Sequence, residues 1–295
     1  MVLPHAPYRG ARVALATRHG KQRVIGRALR HGLGAELLHL PEIDTDALGS
    51  FCGNVARRGT ARQACVAKAE LALEQGGTGL AIASEGSFGP HPAVPLLPVG
   101  IECLVFLDPG RGLQVHEELL ARRTNFAQRR VRRDDLPGGE PTADLERWLQ
   151  AVGFPSHALI VRALASPSDE VLRKGVVQRS VLLEALHEAI AASADGCARI
   201  DTDMRAHCNP TRMASIRELS FRLVRRLATV CPSCRSPGWG VVASLSGLPC
   251  GWCGQPTALI RAEIHGCVRC DHRQERPRRD GLRQADPGHC PFCNP

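Results

Sequence analysis

The chain has 295 residues, 43% of them hydrophobic and 4% aromatic, which is enough for one sizeable core plus a small second unit and excludes a disordered chain. Its formal charge is +9 with every cysteine counted as neutral. Cysteines that bind a metal do so as thiolates, and each such charge would lower that total and weaken any argument from bulk basicity. No stretch approaches the roughly 18 apolar residues of a membrane span, and Met1 to Arg12 has no apolar signal core, so the sequence reads as a soluble, cytoplasmic protein with reduced thiols and no membrane partner.

Val13 to Ala16 is an apolar run of strand type, followed by Thr17-Arg18-His19-Gly20 and a helical pattern with Val24, Ile25, Ala28 and Leu29 on one side. Strand, glycine turn, helix opens an α/β unit. Arg18, His19, Lys21 and Arg23 crowd the start of that helix, where the macrodipole disfavours cations and favours an anion. A strand over 36–40 comes next, then the capping box Thr60-Ala61-Arg62-Gln63, which starts a helix running to about Gln75. Lys68 stands on that helix among Ala64, Cys65, Leu71 and Ala72, so its stem lies on the packed face. It is one of only three lysines against 35 arginines, a bias that marks positions where a compact ammonium is needed.

Gly79 to Ala83 is the next buried strand and runs into Ser84-Glu85-Gly86-Ser87-Phe88-Gly89-Pro90-His91-Pro92. Ligands of parallel sheets sit at the carboxyl ends of strands, and Thr17 and Glu85 are expected at such ends, Glu85 as a ligand for a hard cation such as Mg²⁺. Leu104 to Leu107 ends at Asp108. The Pro/Gly-rich segment 134–142 is an exposed loop, and helices follow to Trp148 and over 181–190, with strands at 158–161 and 198–200. The last of these opens into Asp201-Thr202-Asp203-Met204-Arg205-Ala206-His207-Cys208-Asn209-Pro210. Asp201 and Asp203, two apart, point the same way and are candidates to share a divalent cation, while Arg205, His207 and Arg212 are donors for an oxyanion. Asn209 with Pro210 is also a good cap for the helix that follows and leads without a linker into Cys231.

Eight of the thirteen cysteines form four pairs with two residues inside each: Cys231/Cys234, Cys250/Cys253, Cys267/Cys270 and Cys290/Cys293. This is structural zinc spacing, with two closed four-cysteine sites and no open coordination position for catalysis. Of the three ways to join the pairs, tandem pairing of neighbours needs the shortest loops and is the expectation. The sequence thus divides into an α/β domain over 1–230, with a mixed or mostly parallel sheet and flanking helices, and a tandem zinc-ribbon module over 231–295. Two arginine clusters, one at Arg122, Arg123, Arg129, Arg130, Arg132 and Arg133 and one at Arg273, Arg276, Arg278, Arg279 and Arg283, are candidate phosphate contacts that keep nucleic acid open as a partner.

The segments Ala16 to Lys21, the capped helix with Lys68, and Ala83 to Ser87 resemble, in order and spacing, the inosine/xanthosine triphosphate pyrophosphatase superfamily over about residues 11–108. That resemblance implies a phosphate-bearing small molecule or nucleotide as ligand, Thr17, Lys21 and Lys68 as phosphate contacts, and Glu85 as a Mg²⁺ ligand or base. Beyond the stretch it covers, the expected Mg²⁺-dependent hydrolysis adds Arg205 as a further phosphate contact and Asp201 and Asp203 as residues that join Glu85 in holding the metal. Arg62 and Gln63 stand where that superfamily carries acidic residues, and its downstream aromatic and Asp-Pro motif has no counterpart here. Over its whole length the chain is similar to an uncharacterised bacterial family known only as a domain of unknown function, through residues 84–92, 202–213 and the four cysteine pairs. Such a family implies the architecture and a bacterial source but no activity. Nucleic-acid binding or a scaffold role is the alternative to a hydrolase.

Overall fold

The computed structural model describes residues 7–45, 59–91, 94–121, 123–164 and 170–294, with the side chains of 91, 94–96 and 170 left aside. Arg122 of the first arginine cluster and Pro92 of the glycine-rich segment lie outside these residues. The protein is α/β, with a mixed sheet and five α-helices among the described residues.

The first sheet has the order β2-β1-β3-β4-β5. Its strands are β1 (Arg12–Ala16), β2 (Glu36–Leu40), β3 (Ala81–His91), β4 (Val94–Asp108) and β5 (Leu113–Ala121). β1 runs parallel to β2 and β3, whereas β3, β4 and β5 form an antiparallel meander. Helix α1 (Gln22–Leu33) and helix α5 (Pro210–Ala228) cover one face, burying Ile25, Leu29, Ile216 and Leu223 against Ile82, Leu104 and Phe106. Helix α2 (Ala61–Gly76) covers the other, packing Cys65, Ala69 and Ala72 on Ala81, Ala83, Cys103 and Val105. The Thr60 capping box is formed at both of its hydrogen bonds.

A second sheet, which periodicity alone did not separate from the first, has the order β6-β9-β7-β8 and is antiparallel throughout. Its strands are β6 (Gln128–Arg132), β7 (Leu159–Ala163), β8 (Glu170–Val176) and β9 (Cys197–Thr202), with α3 (Ala143–Ala151) and α4 (Arg179–Ala192) packed on one side. Each helix joins two parallel strands that flank a third, so two split β-α-β units interlock.

The cysteine-rich end is built on a three-stranded antiparallel sheet, β10 (Gly240–Ser246), β11 (Ile260–Gly266) and β12 (Arg273–Pro277), in that order. It is docked on the body, as the missing linker implied. Arg226 of α5 donates to the carbonyls of Gly238 and His116 and to Glu117, and Val268 packs on the core beneath α5.

Candidate functional site

The strands of the cysteine-rich sheet decide which cysteines meet. Cys231/Cys234 precede β10, Cys250/Cys253 lie between β10 and β11, Cys267/Cys270 between β11 and β12, and Cys290/Cys293 follow β12. A seven-residue strand spans roughly 24 Å, so successive pairs fall at opposite ends of the sheet. The expected tandem pairing is therefore corrected to a crossed one: Cys231, Cys234, Cys267 and Cys270 form one group, and Cys250, Cys253, Cys290 and Cys293 the other. The intervals taken for loops are strands, and loop closure was the wrong cost to minimise.

Within each group all four sulfurs lie within 4.8 Å of one another. Hydrogen-bonded Sγ–Sγ separations of 3.8 and 3.5 Å in the first and 3.9 and 3.6 Å in the second match the edge of a tetrahedron with Zn–S bonds of about 2.3 Å, close to 3.8 Å. Backbone N–H groups of Arg269 and Cys270 donate to Cys267 Sγ, and that of Trp252 to Cys250 Sγ, as suits thiolates. The residues fit two structural zinc ions. Four cysteines close each site, so the metal supplies rigidity rather than a reactive water. His265 and His272 stand outside the groups, His272 stacked on the buried Trp239 ring at 5.2 Å between centroids.

A second constellation lies at the end of β1. Thr17 is buried and its Oγ1 accepts the His19 N–H at 3.3 Å, shaping the turn that delivers Lys21 to the start of α1. Lys21 is 6% exposed and its Nζ donates to the Ser84 carbonyl at 2.7 Å. Across β3, Lys68 Nζ donates to Glu85 Oε2 at 2.7 Å on the α2 side, with the two side chains 9% and 3% exposed. On the α5 side Arg212 pairs with Glu102 at 2.7 Å, both side chains at 0% exposure, and also reaches the Met204 carbonyl and lies over the Phe88 ring. Gly86 makes room, since a Cβ there would stand 2.6 Å from Arg212 Nη2 and 2.9 Å from Glu102 Oε2. Among the described residues three buried cations thus meet two buried carboxylates. Burial, with Arg212 and Lys68 adding repulsion, pushes the Lys21 pKa down to about 8, although Glu85 and Glu102 pull the other way.

Four of the expected residues, Lys21, Lys68, Glu85 and Arg212, are thereby brought together, with Thr17 at the border. Glu85 is not at a strand end as expected. β3 continues to His91, and Glu85 faces Cys103 in the antiparallel ladder, four residues past the Ala81 contact with β1. Asp203 belongs to a separate turn. Its oxygens accept from Arg205 at 2.6 to 3.1 Å and from the Gly175 N–H at 3.2 Å, and although burial acts to raise its pKa, the Arg205 hydrogen bonds outweigh it and hold the carboxyl low. Asn209 caps α5 by accepting the Arg212 N–H at 2.9 Å, and it holds the Asp203 carbonyl at 3.3 Å. His207 stacks on His19 at 5.3 Å, joining this turn to the one before Lys21.

Glu102 escaped the sequence reading, though a lone carboxylate inside the apolar run from Val99 to Leu107 was the available signal. The Mg²⁺ expectation fails a test of fit. Glu85 is neutralised by Lys68, Asp203 by Arg205, and Asp201 by Arg162 at 2.6 Å and Arg199 at 3.0 Å, so the two aspartates serve different arginines instead of one ion. Among the described residues only the two cysteine groups have metal-binding geometry. Several clustered arginines are also engaged, Arg129 with Asp144, Arg130 with Asp195, Arg278 with Asp280 and Arg279 with Glu263.

A family model described as Domain of unknown function (DUF6671) matches residues 68–295. The chain belongs to this family. The DUF6671 match begins at Lys68 and takes in Glu85, Glu102, Arg212 and both cysteine groups, while β1 and the Lys21 turn precede it. No curated protein and no solved structure matches the chain, and the resemblance to inosine/xanthosine triphosphate pyrophosphatases gains no support from these comparisons. No helix of the described residues is long and apolar enough to cross a membrane.

Proposed function

We propose that this zinc-binding protein takes a phosphate-bearing small molecule at the Lys21–Ser84 end of the first sheet, and that hydrolysis of a phosphate ester is the reaction class served there. The observation that carries this reading is the charge of the cluster: three buried cations against two buried carboxylates among the described residues, next to a helix N-terminus with no acidic residue in its first turn. A buried excess of positive charge is costly, and an anion relieves it. Lys68 and Arg212 are oriented by their carboxylates and would act as fixed electrostatic partners of a phosphoryl group. Glu85 serves as an orienting partner rather than a metal ligand.

Isothermal calorimetry with inorganic phosphate, nucleoside monophosphates and nucleoside triphosphates tests the proposal. Binding should appear in the micromolar to millimolar range and weaken at least tenfold in Lys21→Met, which keeps the buried stem but removes the charge. If no phosphate compound binds at millimolar concentration, the reading is wrong.

A further inference from the structure

Side chains of β3 alternate between its two covers. Ala83 and Glu85 face α2, whereas Ile82 and the Gly86 position face α1 and α5, which places Ser84 on the α1/α5 side with Lys21, Glu102 and Arg212. Ser84 is 5% exposed. Its hydroxyl has no hydrogen-bond partner among the described residues, an uncommon state for a buried polar atom in a folded protein. The Lys21 amine meanwhile rests on the carbonyl of this same residue. The hydroxyl is bonded neither to that amine nor to any other described group, so in this structure the amine is held on the backbone of the residue whose hydroxyl stands uncommitted, next to a guanidinium close to the Gly86 position.

Building on the assignment of this site to phosphate esters, we propose that Ser84 is the nucleophile of the hydrolysis and Lys21 its general base. In the first half of the reaction Ser84 Oγ attacks phosphorus in line, the bond from phosphorus to the ester oxygen breaks, and the hydroxyl proton passes to the neutral Lys21 amine and on to the departing alkoxide. In the second half a water molecule attacks the phosphoserine, Lys21 takes a proton from it, and the returned proton restores the Ser84 hydroxyl as phosphate leaves. Arg212, with Lys68 behind, would face the charge on the non-bridging oxygens. The lowered pKa of Lys21 leaves part of the amine unprotonated near neutrality, as a base requires.

The test uses the full chain with zinc bound and an alkyl fluorophosphonate, whose P–F bond is broken by an activated serine with loss of fluoride. Peptide mass mapping should find one adduct, on Ser84, absent in Ser84→Ala and formed at least tenfold more slowly in Lys21→Met while that variant keeps two equivalents of zinc. The wild-type labelling rate should rise with pH and level off above about 8. Should Ser84→Ala fail to fold, Ser84→Cys is the second variant: it should lose the phosphonate adduct and be alkylated by iodoacetamide at position 84. An adduct on Ser87 or any other serine overturns the proposal, as does the absence of labelling in protein that still binds inorganic phosphate, an outcome that leaves the anion site standing. Loss of both labelling and phosphate binding removes the two readings together.

Discussion

The two cysteine groups share ligand type, spacing and sulfur geometry, yet their surroundings make them different objects. The first sits at the seam with the body: Trp239 is buried beside Cys231 and Cys267, Arg226 of α5 holds the Gly238 carbonyl, and the Thr229 carbonyl receives the N–H groups of Gly238 and Trp239. The second is moored mainly by its own chain, through the Gly251 N–H to the Ala285 carbonyl, and its two turns carry Trp252 and Phe292 at 80% and 67% exposure. In the first group the equivalent positions are Ser233 and Arg269, and the aromatic residue has gone into the core. Identical coordination chemistry therefore gives a joint in one place and an outlying clamp in the other, and the difference lies in which side chains the metal-bound turns present.

The sharpest way to break this comparison is to remove one ligand from each site. Cys231→Ser should lose one zinc and the moorings of the α5 C-terminus together, with a stability loss on the order of 10 kcal/mol that abolishes a cooperative thermal transition. Cys290→Ser should lose one zinc as well but leave the body's transition within about 1 kcal/mol, read by circular dichroism alongside metal content. Equal losses would show the two sites to be equivalent. Next in size, Trp239→Ala should cost about 3–5 kcal/mol in urea denaturation as a truncated buried aromatic. Trp252→Ala should stay within roughly 0.5 kcal/mol.

At the far end of α5, Glu102→Gln should cost about 3–5 kcal/mol by leaving Arg212 buried without its counter-charge. Lys21 gives a smaller, pH-dependent effect. Its folded pKa of about 8 lies below the ordinary lysine value of 10.5. Below pH 8 both states keep the proton and folding carries the full cost of the buried ammonium. Between about 8 and 10.5 the unfolded chain holds more protons, so this residue's contribution to stability improves as pH rises. Affinity for sulfate, whose own charge is constant there, should fall about tenfold per pH unit above 8 and become flat in Lys21→Met. A sulfate isotherm that ignores pH would remove Lys21 from the anion site.

Much of this molecule was legible where local rules act alone. The α1 stripe, the Thr60 box, the Asn209-Pro210 cap and the cysteine spacing each need only nearby residues, and each is present. Lys68 was legible for the same reason, because its helical neighbours fix the face it occupies. What failed needed partners distant in sequence. The Arg212–Glu102 pair spans 110 positions, and the crossing of the cysteine pairs depends on a sheet whose strands β10 and β12 carry no strong alternating pattern. The arginine run at 129–133 concealed β6, whose only buried side chain is Val131.

Crossed pairing also orders the birth of the protein. A ribosome that has released everything up to Cys253 has made four of the eight paired cysteines with no complete cage, since each half-cage waits for a mate 33 to 43 positions downstream. The seam metal can be captured only once Cys270 has emerged, and the outer one only once Cys293 has. Loss of the turn carrying Cys290 and Cys293 would therefore cost a whole ion, and the nascent chain must carry unligated, reactive sulfur until that turn has emerged.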